Sequence, residues 1–87
     1  MALFFVEYDL RNQRDYETLR DELQRFNAIQ VLESTYCFER INITAAGLRD
    51  HFSRFIDADD GICVTQVSDW ATKKTNGTPN QLQRAPR

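Results

Sequence analysis

The sequence predicts an α+β domain: a four-stranded antiparallel sheet with two helices on one of its faces. Three observations carry that expectation. Two stretches, after Asp15 and after Thr44, repeat apolar residues at helical spacing. Short runs rich in β-branched and aromatic residues precede, separate and follow them. The resulting order is strand, helix, strand, strand, helix, strand. Each strand–helix–strand half then closes as a right-handed crossover, giving an antiparallel sheet.

The first strand is expected over residues 3–10. Alternation puts Phe4, Val6, Tyr8 and Leu10 on one face and Leu3, Phe5, Glu7 and Asp9 on the other. The first face is apolar throughout, whereas the second begins apolar and turns acidic. Arg11 to Arg14 reads as a polar loop, and Asp15 is a natural N-cap. Tyr16, Leu19, Leu23 and Phe26 form the apolar stripe of the first helix, with Glu17, Arg20, Asp21, Glu22 and Arg25 on its polar side. Asn27, tolerant of the left-handed conformation, is placed to end it.

Residues 28–41 contain neither Pro nor Gly and are too long for one ordinary strand. A turn or bulge at Glu33-Ser34 divides them into strands over 28–32 and 35–41. Thr44 caps a second helix striped by Leu48, Phe52, Phe55 and Ile56. Residues 57–61, three aspartates around Ala58 and a closing glycine, make a turn-forming acidic loop. A fourth strand follows over 62–67, and residues 68–72 extend it or form a short extra C-terminal strand. The domain is thus expected over 1–72, with 73–87 a flexible polar tail without a core role. These elements in this order describe a ferredoxin-like βαββαβ fold.

Length and charge narrow the function. A chain of 87 residues holds one modest core, which favours self-association. A net charge of -2 argues against broad nucleic-acid binding, though not against a local basic patch. Cys37 and Cys63 lack metal-ligand spacing and read as buried free thiols of a reducing compartment. Without a basic, apolar leader or a run of membrane-spanning length, the expected location is cytoplasmic, with no membrane partner. His51, the single histidine, reads as a helix-surface residue. Asp57, Asp59 and Asp60 lack the spacing of a calcium loop. Leu3 and Phe5, uncovered at the centre of the second face, mark the surface through which two copies would pair.

Three motifs also resemble a known family. Phe5-Val6-Glu7-Tyr8-Asp9-Leu10 is similar to the first strand of the Cas-two family of CRISPR-associated proteins, which ends in Tyr-Asp-Leu or Tyr-Asp-Ile. Leu32-Glu33-Ser34-Thr35-Tyr36 is similar to its second-strand motif, and Asp57-Ala58-Asp59-Asp60-Gly61-Ile62 to its approach to the fourth strand. The likeness spans residues 3–70 and extends to the VapD toxins of toxin–antitoxin systems and to SinR-like small proteins, the last being nearest. It implies a homodimer and, in active members, a Mg²⁺-dependent nuclease that hydrolyses RNA or DNA. Asp9 from each subunit would be the catalytic metal ligand. The Ser34 hydroxyl would contact a substrate phosphate or close the hairpin, and Arg11 and Arg14, with Lys73 and Lys74, read from the sequence itself as a substrate-contacting rim for phosphate. The alternative expectation is a non-catalytic dimeric scaffold of the same fold that engages a protein or nucleic-acid partner.

Overall fold

Alternation along the first strand sets the two faces of the sheet. The computed structural model describes residues 1–11 and 15–84. Strand β1 spans Ala2–Asp9, helix α1 Tyr16–Arg25, β2 Ile29–Leu32 and β3 Thr35–Arg40. Helix α2 covers Ala45–Ser53 and β4 Gly61–Val67. The strands form one antiparallel sheet in the order β2-β3-β1-β4. β1 is therefore central, with β2 and β4 as the edges.

Phe4, Val6, Tyr8 and Leu10 are buried, as the alternation requires. They share a single core with Leu19 and Leu23 of α1, Leu48 and Phe52 of α2, and Tyr36 and Phe38 of β3. Each fully buried Leu or Phe here is worth about 1.5–3 kcal/mol over its exposed state. Phe26, Phe38 and Phe52 are in mutual ring contact, with centroids 5.0, 4.9 and 5.8 Å apart. Arg40 lays its guanidinium 4.2 Å over the Phe26 ring and donates from Nη1 to the Phe26 carbonyl at 3.3 Å. The end of β3 thereby caps the end of α1, satisfying a carbonyl that the helix leaves unpaired.

The helix ends follow their local chemistry. Asp15 accepts from the Thr18 amide at 3.2 Å and from the Thr18 hydroxyl at 2.6 Å. Thr44 accepts from the Gly47 amide at 3.0 Å. Asn27, with φ of 55°, turns the chain out of α1 through the left-handed region. Helix α2 stops at Ser53, earlier than its apolar stripe suggested. Phe55 and Ile56 still pack on the core, from the turn that follows the helix.

Three expectations from the sequence are overturned. Glu22, placed on the polar side of α1, is buried, because a partner reaches it from α2. Cys63, expected to be a buried thiol, is exposed. It lies on edge strand β4, paired with Glu7, on the face away from the helices. Residues 68–72 are irregular and add no strand.

The segment after Lys73 was given no packing role by the sequence, yet it lies against the sheet. The Asn76 amide donates to the Val31 carbonyl at 2.8 Å, on the outer edge of β2. Gly77 and Pro79 are buried, and a 3-10 helix over Pro79–Arg84 packs on β2 and β3. A Cβ on Gly77 would stand 2.7 Å from both the Gln30 carbonyl oxygen and Ile29 Cγ2, so only glycine permits this approach. Ile29 faces Cys37 in the ladder. Cys37 and Val31 are both buried while standing outside the main core. The C-terminal segment thus covers the β2–β3 half of the sheet's second face. The β1–β4 half stays open.

Candidate functional site

Asp9 is the last residue of β1, opposite Gly61, the first residue of β4. Its side chain is 72% exposed and pairs with Arg11, whose Nε lies 3.2 Å from Oδ2. Exposure of both partners makes this pair worth at most about 1 kcal/mol. Its value is positional. The Arg11 amide donates to Asp60 Oδ1 at 2.7 Å, and Nη1 donates to the Asp59 carbonyl at 3.0 Å. Asp60 Oδ2 also accepts from the Asp57 amide at 2.8 Å. The acidic loop is therefore closed on itself by Asp60 and fastened to the end of β1 by Arg11.

Gly61 completes the arrangement. A Cβ there would lie 3.0 Å from Arg11 Nη2, so the glycine leaves room for the guanidinium to cross the strand pair. Sequence reasoning treated Gly61 as a turn residue only. The acidic loop looked like a free turn, and its Arg11 strap is invisible to spacing because the partners stand 48 and 49 residues apart.

Ser34 sits in the β2–β3 turn, half-buried, and its carbonyl accepts from the Tyr8 amide at 3.2 Å. The turn is thereby joined to β1 one residue before Asp9, so Asp9, Arg11 and Ser34 lie at one end of the sheet. Arg14 lies outside the described residues. Glu7 is exposed on the same face as Asp9. Leu3 and Phe5 are half-buried on that face, towards the other end.

No protein-family model matches this chain, and no solved structure matches it.

Among the described residues, no group of three or more His, Cys, Asp or Glu side chains converges as a metal site. Asp9 is one hard oxygen donor beside one guanidinium, which is suited to a phosphate oxygen or to part of a cation's shell. Among its described residues, a single copy groups no further carboxylate, His or Cys with Asp9 as a metal site. Two copies apposed at this end would supply two such carboxylates. Among the described residues, no helix is long and apolar enough to cross a membrane.

Far from Asp9, an open groove of about 700 Å³ is lined by Met1, Leu3, Ile41, Ile43, Val67 and Trp70, among others. Met1 and Ile41 are 74% and 64% exposed there, beside polar lining residues that include Asn42, Thr44, Gln66 and Ser68.

Proposed function

We propose that this chain is a ferredoxin-like, Cas-two/VapD-like homodimer that hydrolyses phosphodiester bonds of RNA or DNA through paired Asp9 residues. The element order and the strand order β2-β3-β1-β4 support the ferredoxin-like reading. One observation carries the functional reading. Asp9 is an exposed carboxylate at a strand end, held in place by a guanidinium that is itself tied to the neighbouring loop.

In this reading Leu3 and Phe5 pair two copies through the open half of the sheet, bringing two Asp9 side chains together. Those carboxylates would hold Mg²⁺, which lowers the pKa of bound water and supplies a nucleophile towards phosphorus. Arg11, Ser34 and Arg14 would then orient the substrate phosphate. Pairing between the two Asp9 residues and a cation frees Arg11 for that contact. The cellular setting is a cytoplasmic defence or toxin system of the CRISPR-associated or toxin–antitoxin kind, where Cys37 and Cys63 stay reduced.

The groove between Met1 and Trp70 favours a second reading, a non-catalytic dimeric scaffold. It continues the surface of Leu3, so its occupant would be the second copy rather than a substrate.

Cleavage of labelled RNA and DNA with Mg²⁺ or Mn²⁺, by the wild type and Asp9→Asn, separates the two. Metal-dependent cutting that Asp9→Asn abolishes supports the nuclease. Absence of cutting by a protein that gel filtration shows to be dimeric supports the scaffold. A monomer at micromolar concentration removes the paired-carboxylate arrangement.

A further inference from the structure

The two edges of the sheet differ in what they leave unpaired. On β2 the Val31 carbonyl takes the Asn76 amide, so the chain's own C-terminal segment occupies that edge. On β4 the outward groups follow from the ladder. The Tyr8 amide donates to the Ser34 carbonyl at 3.2 Å, which turns the even-numbered residues of β1 towards β3. The odd-numbered residues from Leu3 to Asp9 therefore bond β4, through Val67, Thr65, Cys63 and Gly61. Ile62, Val64 and Gln66 are left with N–H and C=O directed away from β1. Among the described residues, no backbone bond outside the ladder reaches them.

The side chains of β4 suit a further strand. None from Gly61 to Val67 is charged, and Ile62, Val64, Thr65 and Val67 are β-branched. Edges are commonly blunted by lysine, proline or a bulge, and β4 has none of these along its unbroken register with β1. Ile62 and Val64 pack on the core yet stay only partly buried. Beside them a cavity of about 280 Å³ opens against α2, lined by Ala45, Ala46 and Arg49. The short alanine side chains leave room there for groups arriving from beyond β4.

We propose that β4 pairs antiparallel with β4 of a second copy, about a two-fold axis at Val64, so that two sheets become one. In this register Ile62 faces the partner's Gln66, and Val64 faces the partner's Val64. Every outward N–H and C=O of the strand is then met, each facing pair exchanging both bonds. Moving the axis to Cys63 or Thr65 leaves Gln66 or Ile62 outside the overlap. The occupant is a second copy for two reasons. The uncharged strand does not repel itself, and β4 cannot join β2 of another molecule, whose edge is already taken. Asp9 stands opposite Gly61, so the two Asp9 residues lie at opposite ends of this joint. The pairing is thus separate from the face contact through Leu3 and Phe5 and does not depend on the nuclease reading.

Sedimentation equilibrium and oxidation with diamide test the pairing. Gln66→Pro removes an outward N–H and no bond to β1, so the monomer keeps its fold. Its dimer should dissociate about tenfold more readily than that of the wild type. Thr65→Cys puts a thiol opposite the partner's Cys63, with Cα atoms about 4.5 Å apart and within reach of a disulfide. In the wild type the two Cys63 residues lie diagonally, about 7–8 Å apart and too far to bridge. Oxidised Thr65→Cys should therefore run as a covalent dimer on a non-reducing gel. The wild type should run as a single chain, and so should most of Gln66→Pro/Thr65→Cys. A wild type that is monomeric at micromolar concentration overturns the pairing and leaves β4 to a strand of another protein. A dimer that Gln66→Pro does not weaken also overturns it, and points to the face contact instead. A wild type that oxidises to a covalent dimer as readily as Thr65→Cys overturns the axis at Val64.

Discussion

His51 Nε2 lies 2.6 Å from Glu22 Oε2, joining α2 to α1 across a carboxylate that is almost wholly buried. The other partner of Glu22 is Arg25, at 3.3 Å, with a side chain 78% exposed. His51 also contacts the rings of Phe26, Phe52 and Phe55, with centroids 5.3–5.4 Å away. Its ring therefore serves two ends, apolar packing and the carboxylate.

Replacing His51 by Leu keeps the packing and strands the carboxylate. Urea unfolding should show a loss of about 1–3 kcal/mol, the cost of leaving a buried polar group short of a partner. The double variant Glu22→Leu/His51→Leu should recover most of it, since removing both partners removes the unmet demand. A single variant as stable as the wild type would falsify this role for His51.

The two thiols should differ sharply in reactivity. Cys63 is exposed, whereas Cys37 is fully buried. Burial, and then the Glu39 carboxylate, pushes the Cys37 thiol up from 9.0 to about 11. A disulfide reagent at pH 8 should modify one thiol per folded chain quickly and the second only on unfolding.

The same shift fixes the sign of an alkaline effect. A raised acid pKa stabilises the fold fully below about 9 and loses that contribution as pH climbs through about 11. The size is of order 2 kcal/mol. Tyr8, raised from 10.0 as well, acts in the same direction. Denaturation midpoints should therefore fall above pH 9, and Cys37→Ala should fall less steeply than the wild type. Parallel curves for the two proteins would contradict the assignment to Cys37.

Gly77→Val should detach the C-terminal segment, because no β-carbon fits between Ile29 and the Gln30 carbonyl. Hydrogen exchange at the Asn76 amide should accelerate at least tenfold, and Cys37 should become the second fast thiol. Unchanged exchange at Asn76 would mean that the segment is held elsewhere.

At the acidic loop, removing Arg11 and removing Asp60 should have unequal effects. Arg11→Ala loses exposed contacts and should shift stability by less than about 1 kcal/mol. Asp60→Ala unpairs the amides of Arg11 and Asp57 together, so a loss of about 1–2 kcal/mol is expected. Equal losses measured by chemical denaturation would show that Asp60 does not close the loop.

What the sequence disclosed was whatever depends on near neighbours. Asp15, Asn27 and Thr44 announce the helix ends because a cap acts within three residues or through its own φ. The faces of β1 follow from strict alternation. The position of Asp9 at a strand end was equally legible. Its Arg11 contact involves only the next residue but one, yet the strap from Arg11 to Asp59 and Asp60 crosses the sheet. The burial of Glu22 depends on a histidine 29 residues away, so local polarity placed it on the wrong side. Cys63 misled because β4 is apolar in sequence while sitting at an edge with one face uncovered. The docking of the Asn76 segment was hidden most fully, being made by a backbone amide and by a missing side chain at Gly77.

The Asn76–Val31 bond also limits how this sheet can grow. It occupies the outer edge of β2, while β4, at the other margin, carries no charged residue from Gly61 to Val67. A ribbon with both margins open can add strands end over end into a fibre. One with a single open margin has a valence of one. Strand addition along β4 alone would end at a pair of molecules, and a segment seated on the β2 edge would then oppose fibre growth.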